Sequence, residues 1–151
     1  MEINSLKKQT PCMSMAGVRS IAICPSEHVA VIERGGSVSV VLSAAGVWVD
    51  VDVRQGDVDY NGNAADGCAF DNEVLCTLKG VSNKYDGHFG MMKQRRWIVR
   101  ITDNCGIVWY VGTSDSPMRF EWSVENVGGV GGQRDYKLRW WNRSRVPALT
   151  E

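Results

Sequence analysis

The acidic stretch Asp57-Val58-Asp59-Tyr60-Asn61-Gly62 is the first place where side chains could do chemistry. This D-x-D-x-N-G pattern is how an EF-hand calcium loop begins, because alternate oxygen ligands can surround a hard cation and glycine permits the sharp turn. However, the twelfth position, which needs a bidentate carboxylate, is Cys68, and no helical pattern flanks the loop. If Asp66 supplies a carboxylate in another geometry, the calcium ligands are Asp57, Asp59, Asn61 and Asp66. The alternative is a solvated acidic loop.

The segment 134–145, which is basic and aromatic, is the second candidate. It interleaves five basic residues with three aromatic ones. Single-stranded nucleic-acid binders use this combination, because bases stack on rings while cations follow the phosphates. Most of the basic residues fall on one side of a predicted strand, so the alternative is an ordinary solvated face. The residues that would contact a nucleic acid or another ligand are Arg134, Lys137, Arg139, Trp141, Arg143 and Arg145.

Enzymatic chemistry has little support in the sequence. No G-x-S-x-G nucleophile elbow occurs, and neither His28 nor His88 has zinc-ligand spacing from a cysteine. The five cysteines form no C-x-x-C pair and accompany no secretion signal, which indicates free thiols in a reducing cytoplasm. The carboxylates of Asp50 and Asp52 are two residues apart on one strand, which is more typical of an exposed face than of a glycosidase pair. We therefore expect neither catalysis nor a cofactor.

Length and charge limit the remaining function classes. The chain has 151 residues, which suits one domain with a substantial core, and its 17 Lys and Arg balance its 17 Asp and Glu. A formal charge of zero leaves no overall field to attract nucleic acid or an anionic membrane, and it protects little against self-association. No apolar run approaches the ~20 residues of a membrane helix, so no membrane partner is expected.

The segment 96–126 is predicted to form three consecutive strands, which hold three of the six tryptophans. Apolar residues from Trp97 to Ile101 recur at every second position, as they do in a half-buried strand. A three-residue loop at 104–106, with Gly106 in a left-handed conformation, would place Val99 opposite Val111 and Ile101 opposite Trp109. This register keeps the apolar residues on one face of the hairpin. Residues 118–124 give the clearest amphipathic strand of the chain.

These patterns predict an all-β fold, namely a single antiparallel β-sandwich or partly open barrel with little helix. Further strands are predicted between residues 18 and 78, including 47–53, which is half buried with its valines on one face and an acidic opposite face, whereas 79–94 contains no strong helix. The glycine-rich segment 127–132 is predicted to be a flexible hairpin loop. Residues 1–16 are predicted to be a flexible N-terminal arm, 17–142 the β domain and 143–151 a polar tail.

The order of turn and strand signals in the last third of the chain carries a family resemblance. A D-x-x-G-x-x-x-x-x-G hairpin precedes a P-x-x-F strand and a glycine-containing loop; the matching residues are Asp103, Gly106, Gly112, Pro117 and Phe120. This order resembles small structural proteins of phages and prophages of Bacteroidetes-type bacteria. The resemblance implies a virion component, of the tail type, and supplies no catalytic residue.

The sequence and the resemblance together predict a non-enzymatic phage-type structural or tail assembly protein. It would act as a homo-oligomer with other virion proteins, and it would be cytoplasmic before assembly and part of the virion afterwards. The alternative is a β module that binds carbohydrate or single-stranded nucleic acid through Trp48, Trp141 or the basic C-terminal strand. Nucleic acid is a possible partner that the sequence does not favour.

Overall fold

Antiparallel β-structure dominates the protein in a computed structural model that describes residues 18–34, 37–51, 58–65, 67, 69–79, 83–127, 133–146 and 148–150. These residues form eleven strands and one helix. The predicted all-β, sandwich-like fold with little helix is confirmed, and the sheets do not close into a barrel. The elements are β1 Val18–Pro25, β2 Val29–Arg34, β3 Ser37–Leu42, β4 Val49–Val51, β5 Val58–Ala65, β6 Ala69–Lys79, α1 Asn83–Met92, β7 Trp97–Asp103, β8 Val108–Val111, β9 Arg119–Val127, β10 Gln133–Ser144 and β11 Leu149–Thr150.

The strands form two main sheets and a separate hairpin. The first sheet has the order β11-β8-β7-β1-β4, the second has the order β5-β6-β10-β9, and β2 pairs with β3. A core of buried side chains lies between the two main sheets, since it takes residues from β1, β7 and β8 on one side and from β6, β9 and β10 on the other. Burial of large aromatic side chains such as Trp140 and Phe120 is the main favourable contribution to this packing.

The hairpin β2-β3 covers the opposite face of the five-stranded sheet. Val29 and Val31 of β2 join a second apolar cluster with Cys24, Ile98 and Tyr110. Residues of β1 and β7 therefore alternate between two buried environments, which explains why β1 is nearly continuous apolar sequence from Ile21 to Cys24.

The predicted hairpin of β7 and β8 is confirmed in its register. Val99 pairs with Val111 and Ile101 pairs with Trp109. The amide of Asp103 donates to the carbonyl of Ile107 at 3.0 Å, and Gly106 has φ = +81°. This left-handed conformation is open to glycine at little cost, so the loop chemistry and the apolar alternation fix the same register.

Helix α1 contradicts the expectation that 79–94 contains no strong helix. Phe89 is buried on the core, where its ring lies 4.9 Å from that of Tyr136 and 5.6 Å from that of Trp122. The indole Nε1 of Trp97 donates to the carbonyl of Met92 at 2.9 Å, at the end of the helix. Two glycines, Gly87 and Gly90, weaken the local helical signal, so tertiary packing stabilises this helix more than its intrinsic propensity does.

The strand expected over 47–53 is shorter, and among its described valines only Val51 packs against the core. Strand β4 spans Val49–Val51, Val47 and Val49 are 66% and 55% exposed, and Val53 lies outside the described residues. Instead, Trp48 packs on the second cluster: its ring lies 5.9 Å from that of Tyr110, and the Arg100 guanidinium lies 4.8 Å from its centre. Val49 and Val51 pair with the core residues Ile23 and Ile21, and Asp50 is exposed, so the pattern placed the valines on the correct side of the strand. It did not show that Trp48 is also partly buried, on the second cluster.

The C-terminal segment is part of the fold, which differs from the polar tail expected at 143–151. Strand β10 continues to Ser144, and β11 pairs with β8 of the opposite sheet. Between them, the amide of Ala148 donates to the hydroxyl of Tyr60 at 2.9 Å, and Nδ2 of Asn72 donates to the carbonyl of Val146 at 3.1 Å. These hydrogen bonds hold the segment that joins β10 to β11, and so passes from one sheet to the other, against β5 and β6. Residues 1–16 and 128–132 lie outside the described residues, so the predicted arm and flexible loop stay predictions.

Gly62 in β5 is required by close packing, so we expect the Gly62→Ala variant to lose about 2 kcal/mol of unfolding free energy. A Cβ at this position would collide with the Tyr60 hydroxyl, which donates to Oδ1 of Asn72 at 2.9 Å and accepts from Ala148. Moving the ring aside would break both hydrogen bonds, each with a net value of about 1 kcal/mol. Urea denaturation measures the change. The Gly90→Ala variant is the control, since a Cβ there meets nothing and should stabilise α1 by up to about 1 kcal/mol.

Candidate functional site

The predicted ligand-binding residues of the C-terminal segment lie mostly on one surface. Lys137, Arg139, Trp141 and Arg143 alternate along β10 with core residues, so they project from the outward side of the sheet β5-β6-β10-β9. We call this side of the sheet the outer face. Arg145 follows the strand and is exposed, whereas the side chain of Arg134 lies outside the described residues.

Two of the four predicted calcium ligands lie on the same outer face. Asp59 and Asn61 are exposed residues of β5, which pairs in regular register with β6. The stretch from Asp59 is thus a strand, where alternate residues are roughly 7 Å apart and do not converge on a cation as they do in a loop. Asp57 and Asp66 lie outside the described residues. Within the part of the chain that the structure describes, no group of three or more His, Cys, Asp or Glu could hold a metal ion.

Arg139 and Arg143 of β10 are paired with carboxylates from the neighbouring strands. Nε of Arg139 donates to Glu73 at 2.7 Å and Nη1 donates to Glu121 at 3.2 Å, while Arg143 donates to both oxygens of Asp71 at 2.8 and 3.2 Å. The hydrogen bond from Arg143 lowers the pKa of Asp71 below its usual range. The outer face therefore carries alternating charges that compensate each other, which is unfavourable for a polyanion.

Trp141 lies at the centre of this charged array. The guanidinium groups of Arg119 and Arg139 each lie 5.3 Å from the centre of its ring, within the range of a cation–π interaction. Its ring is partly exposed, but its Nε1 is buried and has no hydrogen-bond partner among the described residues. The arginines thus fix the orientation of an aromatic ring on an otherwise polar surface.

Two hollows on the outer face meet at Trp141 and Arg143. The first, with a volume of about 350 Å³, is lined by side chains of β5, β6 and β10, including Asn61, Asn63 and Glu73. The second, of about 430 Å³, lies towards the start of β9 and includes Arg96 and Arg119. The two hollows share three lining residues, Trp141, Asn142 and Arg143, and we call the adjoining pair the outer groove.

A second candidate surface is apolar and lies at the free edge of the five-stranded sheet. Four of the seven exposed large hydrophobic residues in the described segments fall between Val41 and Val49: Val41, Leu42, Val47 and Val49. They lie at the end of β3, in the turn that follows and at the start of β4, the outermost strand of its sheet among the described residues. We call these four residues the apolar edge.

Two of the three described cysteines are buried thiols. Cys24 and Cys76 are buried free thiols, and desolvation raises both pKa values, that of Cys76 to about 12. A buried thiol of this kind is protonated and inert near neutral pH. His88 is exposed on α1, and Cys105 lies in the β7–β8 loop. His28 lines a surface hollow of about 310 Å³ together with Ser26, Ser43 and Ser114.

Sequence reasoning missed the acidic half of the outer face and one of its arginines. Asp71 and Glu73 lie on β6, Glu121 and Arg119 on β9. Their alternation with apolar residues was a usable signal for outward-facing positions, but it does not say which strands are neighbours. Only the registers of β10 with β6 and β9 bring these side chains to the β10 arginines.

Comparisons with known proteins give no match to a family model, a curated protein or a solved structure. In the described segments, no helix has the length and apolar character needed to cross a membrane.

Proposed function

We propose that this protein is a non-enzymatic structural component that assembles by self-association through its apolar edge. The observation that carries the proposal is the concentration of exposed Val41, Leu42, Val47 and Val49 around one turn at the margin of a sheet. Scattered apolar residues are normal on a protein surface, whereas a contiguous group is typical of an interface. The resemblance of 103–120 to phage and prophage tail-type proteins supports a role as a virion component.

The position of the apolar edge suits pairing between copies. An outermost strand has backbone donors and acceptors on one side that another strand can use. Two copies of β4 could pair antiparallel about a two-fold axis, which would bring Val49 of one copy against the same region of the other. The balanced charge of the chain, 17 basic against 17 acidic residues, opposes such contacts only weakly.

The test is light scattering coupled to size exclusion over a wide range of chain concentrations. We expect a discrete oligomer, or growth into larger rings or tubes, whose proportion rises with concentration. Introducing a charge at Val49→Lys or Val47→Asp should shift the distribution to the monomer, because the charge would have to be buried without a partner. Loss of one buried valine contact alone corresponds to roughly tenfold weaker association.

The matched control is the Met91→Lys variant, which places the same charge on a side chain that is 70% exposed on α1. It should associate as the unaltered protein does. A protein that stays monomeric up to near-millimolar concentration would contradict self-association, and equal effects of the Val49 and Met91 substitutions would contradict the assigned surface.

A further inference from the structure

We propose that the outer groove is a binding site for a neutral oligosaccharide. The groove contains an aromatic ring between two guanidinium groups, planar amide and carboxylate groups on two strands, and two arginines, Arg139 and Arg143, that are paired with carboxylates. This activity is separate from self-association, since it uses the opposite sheet and none of the residues of the apolar edge.

Trp141 would provide the apolar contact. The C–H face of a sugar ring is apolar and packs on the flat face of an aromatic side chain, while its hydroxyls point outward to polar partners. Trp141 lines both hollows of the groove, so a chain of sugars that crossed the sheet would pass over it. The contacts with Arg119 and Arg139 limit the rotation of the ring, which reduces the conformational entropy lost on binding.

Side chains of β5 and β6 would provide the hydrogen bonds. Asn61 and Asn63 are exposed on β5, next to Asp71 and Glu73 on β6. Each amide offers donors and an acceptor, and each carboxylate offers acceptors. A sugar hydroxyl both donates and accepts hydrogen bonds, so it can bond to either kind of group. These groups lie on paired strands rather than on loops, so they keep a fixed spacing before the ligand arrives.

The charge pattern favours a neutral ligand over a nucleic acid. Arg139 is engaged by Glu73 and Glu121, and Arg143 is engaged by Asp71 through two hydrogen bonds. A phosphate that bound Arg139 or Arg143 would have to break these pairs and then lie beside the released carboxylates. A neutral sugar leaves every ion pair in place, and the paired arginine and carboxylate still have lone pairs and N–H groups for its hydroxyls.

The test uses the full chain on an array of neutral and acidic glycans, followed by calorimetric titration with each glycan that binds. A deoxythymidine dodecamer is the polyanion comparator. We expect binding to at least one neutral oligosaccharide series, little change of affinity with salt, and no comparable binding of the dodecamer, whose affinity would fall steeply with salt. The Trp141→Ala variant should bind about thirtyfold more weakly, as is typical for a central tryptophan.

Two further variants separate binding from folding. Asn63→Ala removes one exposed groove side chain and should weaken binding several-fold, whereas Ser123→Ala, which is on the outer face but outside the groove, should leave it unchanged. Circular dichroism checks the fold of each variant. If Trp141→Ala does not fold, the affinity of Asn63→Ala for the glycan decides the test. The proposal is overturned if no neutral glycan binds at millimolar concentration, if only acidic glycans or the dodecamer bind, or if both groove variants bind normally.

Discussion

The Asp103→Ala variant is expected to lose about 3–5 kcal/mol of unfolding free energy, which would place this single carboxyl group among the main determinants of stability. The side chain is fully buried at the start of the β7–β8 loop. Its Oδ1 accepts hydrogen bonds from the amides of Cys105 and Ile107, both at 2.9 Å, and its Oδ2 accepts one from the indole Nε1 of Trp109 at 3.1 Å. Alanine would leave all three donors without this acceptor.

Asp103→Asn gives a graded comparison for this site. The amide oxygen can still accept from the two loop amides, but an amide NH2 group would face the N–H of Trp109, so we expect a loss of roughly 1–2 kcal/mol. Urea denaturation followed by tryptophan fluorescence measures both variants. Asp115→Ala, at an exposed aspartate in the next turn, should change stability by less than about 0.5 kcal/mol. If Asp103→Ala behaved like Asp115→Ala, the loop would not depend on this carboxyl group.

The β7–β8 hairpin was predictable because all of its determinants are local. The alternation from Trp97 to Ile101, the short polar loop and Gly106 lie within ten residues of one another, and each supports the same register. By contrast, the pairing of β1 with both β4 and β7 joins segments far apart in the chain. Period-2 patterns identify strands but not their neighbours, so the layers of the fold were not accessible from the sequence.

The outer groove was only half predictable for the same reason. The alternation along β10 correctly indicated that Lys137, Arg139 and Trp141 share one side of a strand, whereas Arg143 was assigned to the tail. The carboxylates that neutralise these arginines come from β6 and β9, and their positions follow from cross-strand register. This difference changes the functional interpretation: an unpaired basic strand favours nucleic acid, whereas a strand whose Arg139 and Arg143 are paired with carboxylates beside Trp141 favours a neutral ligand.

Helix α1 is the element that local patterns missed, and Phe89 is the residue on which its stability depends most. Its side chain is only 5% exposed, and its ring lies 4.9 Å from that of Tyr136, 5.6 Å from that of Trp122 and 5.8 Å from that of Phe120. We expect Phe89→Ala to lower the unfolding free energy by about 3–4 kcal/mol, since it removes a large buried side chain and leaves a cavity against three aromatic rings.

The same substitution should detach the helix, because a ten-residue helix with two internal glycines is not stable alone in water. Hydrogen exchange of the amides of α1 should therefore accelerate more in Phe89→Ala than exchange in β10, which stays paired on both sides. Met91→Ala, at a side chain that is 70% exposed on the same helix, is the matched control and should change stability by less than about 0.5 kcal/mol. Equal exchange rates for α1 in the two variants would mean that contacts other than Phe89 hold the helix. Faster exchange in Phe89→Ala alone would show that one aromatic contact decides whether this segment is helical, which is information that the local sequence does not contain.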